Sequence, residues 1–190
     1  MKIGLCGTMS VGKTTLVHAL QQLPELKDYK FRTERSKYLM SQGIPLNTDS
    51  TLKGQTVFLA ERASELISEN IITDRTVIDV MAFALASTSM DVLDKSAFME
   101  YAKRFIQEYD YIFYVSPEGV EMEDNGVRET DLEYRKTIDE LITITLSKNK
   151  NKIKNYGILE GPTEQRIEQM KFQKSYQKKE TWHQQTFEID

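Results

Sequence analysis

The chain has 190 residues, a formal net charge of −4 and a single cysteine. This length suits one α/β domain with a full core and is short for two. The lone cysteine excludes an internal disulfide, and no apolar run approaches the roughly 18 residues of a membrane span. The first residues enter an apolar strand without a signal-peptide pattern, so we expect a cytoplasmic protein without a membrane partner.

Apolar runs and helical periodicities alternate along the chain. The predicted strands are 2–7, 29–34, 70–74, 110–116 and 156–161. The predicted helices are 12–23, 35–43, 51–68, 75–87, 94–109, 131–147 and 163–173. This alternation predicts an α/β fold with a parallel sheet and helices on both faces. We expect one domain over residues 1–172 and a C-terminal tail, loosely ordered or in contact with a partner, over 173–190.

The first strand leads into the segment GTMSVGKT, which opens a helix. This is the context in which G-x-x-x-x-G-K-T cradles phosphates with backbone N–H groups and a helix N-terminus. We expect Lys13 to reach the β- and γ-phosphates and the Thr14 hydroxyl to bind Mg²⁺. The predicted ATP-binding residues are Gly7, Thr8, Met9, Ser10, Val11, Gly12, Lys13, Thr14 and Thr15.

Two predicted strands end in a carboxylate that is followed by an arginine, Glu34–Arg35 and Asp74–Arg75. The carboxyl ends of parallel strands meet at one edge of a sheet, beside the cradle. Asp74 is therefore a candidate for holding Mg²⁺, and Glu34 a candidate for positioning or deprotonating an acceptor hydroxyl. The alternative is that each carboxylate is solvated or paired with its own neighbour.

The polar segment at about 118–135 contains Arg128 and Arg135 and leads into a helix. A mobile basic segment that closes over phosphates would act as a lid and stabilise transition-state charge. Alternatively, both arginines are solvated and pair with acidic neighbours.

The helix predicted over 51–68 combines an apolar stripe with polar and aromatic side chains beside it. The predicted core stripe contains Leu52, Leu59, Ala63 and Leu66. Gln55, Phe58 and Arg62 fall three or four residues apart beside the stripe and are candidates for an acceptor pocket, because an amide pairs with a base edge and a ring stacks on it. The alternative places Phe58 in the core and Gln55 on the surface.

Taken together, the segments GTMSVGKTTL, TER, TDRTVIDVMAFA and NGVRETDLEYR resemble the P-loop nucleoside and nucleotide kinases. TDR resembles the D-R motif of thymidylate kinases and the E-R-S motif of deoxynucleoside kinases. Over roughly residues 1–170 the chain is similar to small AAA-type ATPase/kinase domains of the NadR-type, ribosylnicotinamide kinase-like group. The resemblance implies a five-stranded parallel sheet of order 2-3-1-4-5 with a lid segment.

The resemblance also implies residue roles. Lys13 and Thr14 would bind phosphate and Mg²⁺, and Glu34 and Asp74 would lie at the catalytic edge. Arg75 would contact the acceptor, with Arg35 also expected on the substrate side. The lid arginines would be Arg128 and Arg135, and the residues beside the nucleotide base would be Gly161 and Pro162.

The leading prediction is an ATP- and Mg²⁺-dependent kinase that transfers the γ-phosphate to a nucleoside, a nucleoside monophosphate or a nucleoside-like small molecule. One alternative is a kinase of a nucleic-acid end or a modified DNA base, since lysines cluster at 147–154 and 171–179; the acidic net charge does not favour it. A nucleotide-dependent switch is a second alternative, although the N-K-x-D and D-x-x-G motifs of GTP switches are missing. The sequence leaves open the acceptor and whether the chain forms a homodimer.

Overall fold

A computed structural model describes residues 1–33, 35–119 and 132–176, the last five of them by backbone alone. Within these residues, five parallel strands form one sheet of order β2-β3-β1-β4-β5. The strands are β1 (Lys2–Cys6), β2 (Lys30–Arg32), β3 (Ile71–Asp74), β4 (Tyr111–Val115) and β5 (Tyr156–Leu159). The expected fold class and strand order are confirmed.

The helices alternate with the strands along the chain. They are α1 (Lys13–Gln21), α2 (Ser36–Ser41), α3 (Leu52–Glu65), α4 (Val77–Ala86), α5 (Val92–Ala102), α6 (Leu132–Lys148) and α7 (Thr163–Tyr176). Short 3₁₀ turns lie at Pro24–Leu26, Asn47–Asp49, Lys103–Glu108 and Lys150–Lys152. The prediction of one α-helix over 94–109 was wrong, because the chain tightens into a 3₁₀ turn after Ala102 and keeps Ile106 and Tyr109 in the core.

The sheet separates two hydrophobic layers, because successive side chains of a strand point to opposite faces. Ile3 and Leu5 of β1 pack with the apolar faces of α1 and α7. Cys6 belongs to the opposite layer, which contains side chains from α3, α4, α5 and α6. Cys6 is fully buried and burial raises the pKa of its thiol, so this cysteine is an inert core residue.

The close approach of α4 to the sheet depends on Gly4, in the middle of β1. A Cβ at Gly4 would lie 2.4 Å from Cγ2 of Thr76 and 2.8 Å from the ring of Tyr109. Thr76 caps the N-terminus of α4, so the missing side chain lets this helix end lie directly against β1. The first turn of α4 is thereby placed beside the segment that follows β1.

Helix α3 buries a polar face that the sequence analysis did not predict. Its buried residues are Gly54, Gln55, Leu59, Arg62 and Glu65. The predicted core stripe was wrong at Leu52, which is exposed, and at Ala63, which is only half-buried. The stripe is rotated because Arg62 finds buried hydrogen-bond partners and so occupies an inward position in place of Ala63.

Several predicted features lie outside the described residues. They include Glu34, Arg128, most of the predicted lid (residues 120–131 of about 118–135) and residues 177–190. Helix α7 continues to Tyr176, past the predicted domain boundary at 172, which stays a prediction. In the described part of the chain, no helix is both long enough and apolar enough to cross a membrane.

Candidate functional site

The segment between β1 and α1 forms a tight cradle at the carboxyl edge of the sheet. The backbone has positive φ angles at Gly7 (+151°), Ser10 (+56°) and Gly12 (+81°). A Cβ at Gly7 would lie 2.6 Å from the carbonyl oxygen of Val115, so only glycine fits there. The side chains of the intervening residues are buried, which leaves the main chain as the part of the loop that a ligand meets.

Lys13, the first residue of α1, is buried in this cradle. Its ammonium donates to the carbonyl oxygens of Gly7 at 2.8 Å and Thr8 at 2.7 Å. The N-cap of α1 is Gly12, which supplies no side-chain acceptor, and the first turn carries no acidic residue. The N-terminal N–H groups of the helix are therefore suited to an anion such as phosphate.

The structure brings together the two predicted metal ligands, Thr14 and Asp74. The Thr14 hydroxyl donates to Oδ2 of Asp74 at the end of β3. Asp74 is buried, and its Oδ1 has no hydrogen-bond partner. A hydroxyl and a carboxylate with a spare oxygen are the donor types that Mg²⁺ prefers, so this pair fits the ion.

Arg75 follows in a left-handed conformation, with φ +84°. Such a backbone is costly for a non-glycine residue and persists only where its surroundings hold it. Here the Arg75 N–H donates to Leu5 O at 2.9 Å, and the guanidinium lies 3.6 Å from Oδ1 of Asp79 and over the ring of Phe83. The predicted acceptor-side arginine is thus fixed by contacts to β1 and α4.

Arg62 connects α3 to the same strand end. One Nη donates to the Asp74 carbonyl oxygen at 3.0 Å, and the other donates to Oε1 of Glu65 at 2.8 Å. With 3% of the residue exposed, Arg62 is held by protein partners. Burial raises the pKa of Glu65 to about 7, although the Arg62 charge opposes the rise.

The other predicted acceptor-side residues on α2 and α3 differ in their surroundings. Gln55 is buried and its amide oxygen has no hydrogen-bond partner, so the alternative that it lies on the surface is wrong. Phe58 is half-buried and packs against the larger core layer, as in the core alternative. Arg35 is exposed, pairs with Glu61 at 3.1 Å and stacks over Tyr38.

The beginning of α6 lies against the cradle. The Thr8 hydroxyl donates to the main-chain oxygen of Arg135 at 2.9 Å. This contact places the C-terminal end of the predicted lid beside the cradle. One turn further on, Asp139 accepts from the Tyr114 hydroxyl at 2.8 Å. Burial raises the pKa of Asp139, while the Tyr114 hydrogen bond and the charges of Arg135 and Lys13 lower it. Asp139 was not among the site residues predicted from the sequence.

Helix α7 contributes a second side chain that the sequence analysis missed. The Arg166 guanidinium, with 3% of the residue exposed, donates to Val11 O in the cradle at 2.6 Å and to Ser116 O after β4 at 3.4 Å. The predicted base-side residues Gly161 and Pro162 are exposed and lead into the same helix. No local pattern reveals Arg166, because its partners are distant in sequence.

Part of the lysine-rich stretch 147–154 lies away from the cradle. Lys152, with Lys103 and Arg104, lines an open cavity of about 480 Å³. These residues precede β5 and β4, so they lie at the amino edge of the parallel sheet, and the cradle lies at the opposite edge.

The strand order, the cradle between β1 and α1, and the Asp74 carboxylate at the neighbouring strand end define a P-loop kinase-like fold. The sequence model of an AAA domain family matches residues 2–166, and the chain belongs to this family. No curated protein matches the chain by sequence.

Several solved structures share the fold. Deoxyadenosine kinase from M. mycoides, with dCMP and dCDP bound, has a TM-score of 0.63 at 18% identity, covering 92% of this chain and 99% of that one. The NadR protein in complex with NR has a TM-score of 0.69 at 17% identity, covering 97% of this chain and 53% of that one. The YorR protein from Bacillus subtilis, in complex with phosphorylated GDP, has a TM-score of 0.57 at 16% identity, covering 95% and 99%.

Proposed function

We propose that the chain is an ATP- and Mg²⁺-dependent kinase that transfers the γ-phosphate to a hydroxyl of a nucleoside or nucleoside-like small molecule. The observation that carries the proposal is the contact between Thr14 of the cradle and Asp74 of β3, with Lys13 beside them. The similar structures of deoxyadenosine kinase and of NadR with NR support a nucleoside-type acceptor.

On the donor side, the cradle would bind the phosphates of ATP. The Lys13 ammonium would exchange its two loop carbonyl partners for phosphate oxygens. Thr14 and Asp74 would hold Mg²⁺, which when bound neutralises charge on the phosphates. Arg135, and Arg128 in the segment outside the described residues, would add positive charge at the transferred group.

On the acceptor side, the amide oxygen of Gln55 is buried without a hydrogen-bond partner. Leaving a buried polar atom unmatched costs about 1–3 kcal/mol, so a ligand that donates an O–H or N–H group to this oxygen gains binding energy. Sugar hydroxyls and the N–H groups of a base are such donors. Glu34 would orient or deprotonate the reacting hydroxyl.

The arginines on this side already have acidic partners. Arg62 pairs with Glu65, Arg35 with Glu61, and Arg75 with Asp79. A phosphate monoester would have to compete with these carboxylates for each guanidinium. This charge balance favours an uncharged nucleoside over a nucleoside monophosphate.

The test is ADP release from Mg·ATP in the presence of nucleosides, nucleoside monophosphates, nicotinamide riboside and a short DNA duplex. We expect stimulation by one or more nucleosides or by nicotinamide riboside. Lys13→Ala should lower the rate by at least about 100-fold. The matched control is Lys171→Ala, which removes an exposed lysine paired with Glu25 and Glu168 and should leave the rate unchanged.

The outcomes separate the candidates. Stimulation by none of these acceptors would overturn the kinase proposal, and stimulation by monophosphates alone would overturn the nucleoside assignment. Salt-sensitive stimulation by DNA alone would favour the polymer alternative. Glu34→Gln should lose rate while keeping ATP affinity, whereas an equal loss of both would make Glu34 structural.

A further inference from the structure

Asp79, in the first turn of α4, is a fully buried carboxylate with 0% of the residue exposed. Its Oδ2 accepts from the Thr76 N–H at 2.7 Å and from the Thr76 hydroxyl at 2.9 Å. These contacts complete a capping box at the helix N-terminus. A capping box needs only one carboxylate oxygen.

The second oxygen reaches beyond the helix. Oδ1 of Asp79 accepts from the N–H of Gly7, the first glycine of the cradle, at 3.1 Å, across 72 residues of sequence. The same oxygen lies 3.6 Å from the guanidinium of Arg75. One buried carboxylate therefore contacts the cradle and the strand-end arginine together.

The groups around the Asp79 carboxylate are all donors. Three N–H or O–H groups point to it, and the Arg75 guanidinium adds a positive charge. An ionised carboxylate offers about four acceptor sites and no donor, which suits this surrounding. An asparagine of the same shape would place an NH₂ group against donors on one side.

We propose that Asp79 is a positioning residue that fixes the entrance of the phosphate cradle at Gly7 relative to the acceptor-side Arg75; this proposal rests on the proposed function. Gly7 has no room for a side chain, because a Cβ there would lie 2.6 Å from the carbonyl oxygen of Val115. Arg75 is held in an otherwise costly left-handed conformation. Asp79 joins these two constrained points through one rigid helix turn and so couples the donor half of the site to the acceptor half.

The experiment compares Asp79→Asn with Thr76→Ala in the full chain. Asp79→Asn keeps the volume but loses acceptor capacity towards Gly7 and charge towards Arg75. Thr76→Ala removes the capping hydroxyl and leaves the Gly7–Asp79 hydrogen bond in place, so it controls for lost helix stability. For each variant, equilibrium ATP binding, kcat, the KM of the acceptor and Tm are measured.

We expect Asp79→Asn to weaken ATP binding and to lower kcat/KM for the acceptor by about 10- to 100-fold, the range for a hydrogen bond to a charged group. Thr76→Ala should lower Tm about as much as Asp79→Asn does. It should change ATP affinity and the kcat/KM of the acceptor by less than about threefold. In a double-mutant cycle with Arg75→Lys, the losses in kcat/KM should not multiply, because both variants break the same contact.

Asp79→Glu keeps the charge and the usual capping-box residue but displaces the carboxylate. Asp79→Glu should therefore have a higher Tm than Asp79→Asn and still bind ATP more weakly than the wild type. This variant tests the proposal if Asp79→Asn does not fold. Wild-type ATP affinity and kcat/KM in both Asp79 variants, or losses that multiply with Arg75→Lys, would overturn the positioning role. The proposed function itself fails by a different result, the absence of acceptor-stimulated turnover in the wild-type protein, and ATP binding to the variants tests Asp79 even then.

Discussion

The buried Glu65 should make the stability of the protein depend on pH in a direction opposite to that of an ordinary salt-bridged carboxylate. Burial raises its pKa from 4.5 to about 7, against the charge of Arg62. The folded state then binds a proton that the unfolded state releases between these two values, so the Glu65 contribution to stability is full below pH 4.5 and is lost as pH rises to 7. At 1.36 kcal/mol for each pH unit of difference, the loss amounts to about 3 kcal/mol.

Glu65→Gln removes the ionisation and keeps an oxygen that can accept from Arg62. Urea unfolding of both proteins at pH 5 and pH 8 gives the free energy of unfolding of each. We expect the glutamine variant to gain about 2.5 kcal/mol relative to the wild type between the two pH values, because part of the loss has already occurred at pH 5. Glu168→Gln, which changes an exposed glutamate on α7, should show no such gain. A difference between wild type and Glu65→Gln that does not change with pH would show that Glu65 takes up no proton on folding in this range.

Two further substitutions test the cradle. Gly7→Ala should abolish ATP binding in an equilibrium titration, because its Cβ would lie 2.6 Å from a carbonyl oxygen of β4. The control is Gly43→Ala, which has φ +80° and no atom within 4 Å of the added Cβ. It should keep ATP binding and cost only about 1 kcal/mol of stability. Arg166→Met should lower the free energy of unfolding by about 1–3 kcal/mol and raise the KM for ATP, because the carbonyl oxygen of Val11 loses its buried donor. The control Arg104→Met changes an exposed arginine and should leave both the stability and the KM unchanged. Unchanged KM in Arg166→Met would contradict a role for this arginine in shaping the cradle.

The sheet and the cradle were predictable because their signals are local. A buried parallel strand is a short apolar run, and TDR marks the point where β3 ends. Once the strands are parallel, topology alone brings Asp74 to the edge of the sheet where α1, which carries Thr14 in its first turn, begins. Glu34 was predicted by the same reasoning and stays a prediction, since it lies outside the described residues.

The polar interior was not predictable because its partners are distant in sequence. Helical periodicity assigned the inward face of α3 to apolar residues, yet Arg62 is buried because β3 supplies a carbonyl acceptor. Asp79 reads locally as an N-terminal capping residue, and its second contact, with Gly7, exists only in the assembled fold. Arg166 reads as an ordinary charged residue of a surface helix for the same reason.

The Arg166 contact also has a consequence for how the protein is made. A ribosome synthesises Val11 155 residues before the arginine that satisfies its carbonyl. Contacts of such large sequence separation form late, because the intervening chain must first be ordered. The growing polypeptide thus carries the GTMSVGKT motif for 155 residues of synthesis without the finished cradle. A chain truncated before α7 would keep the motif while losing the geometry that makes it useful.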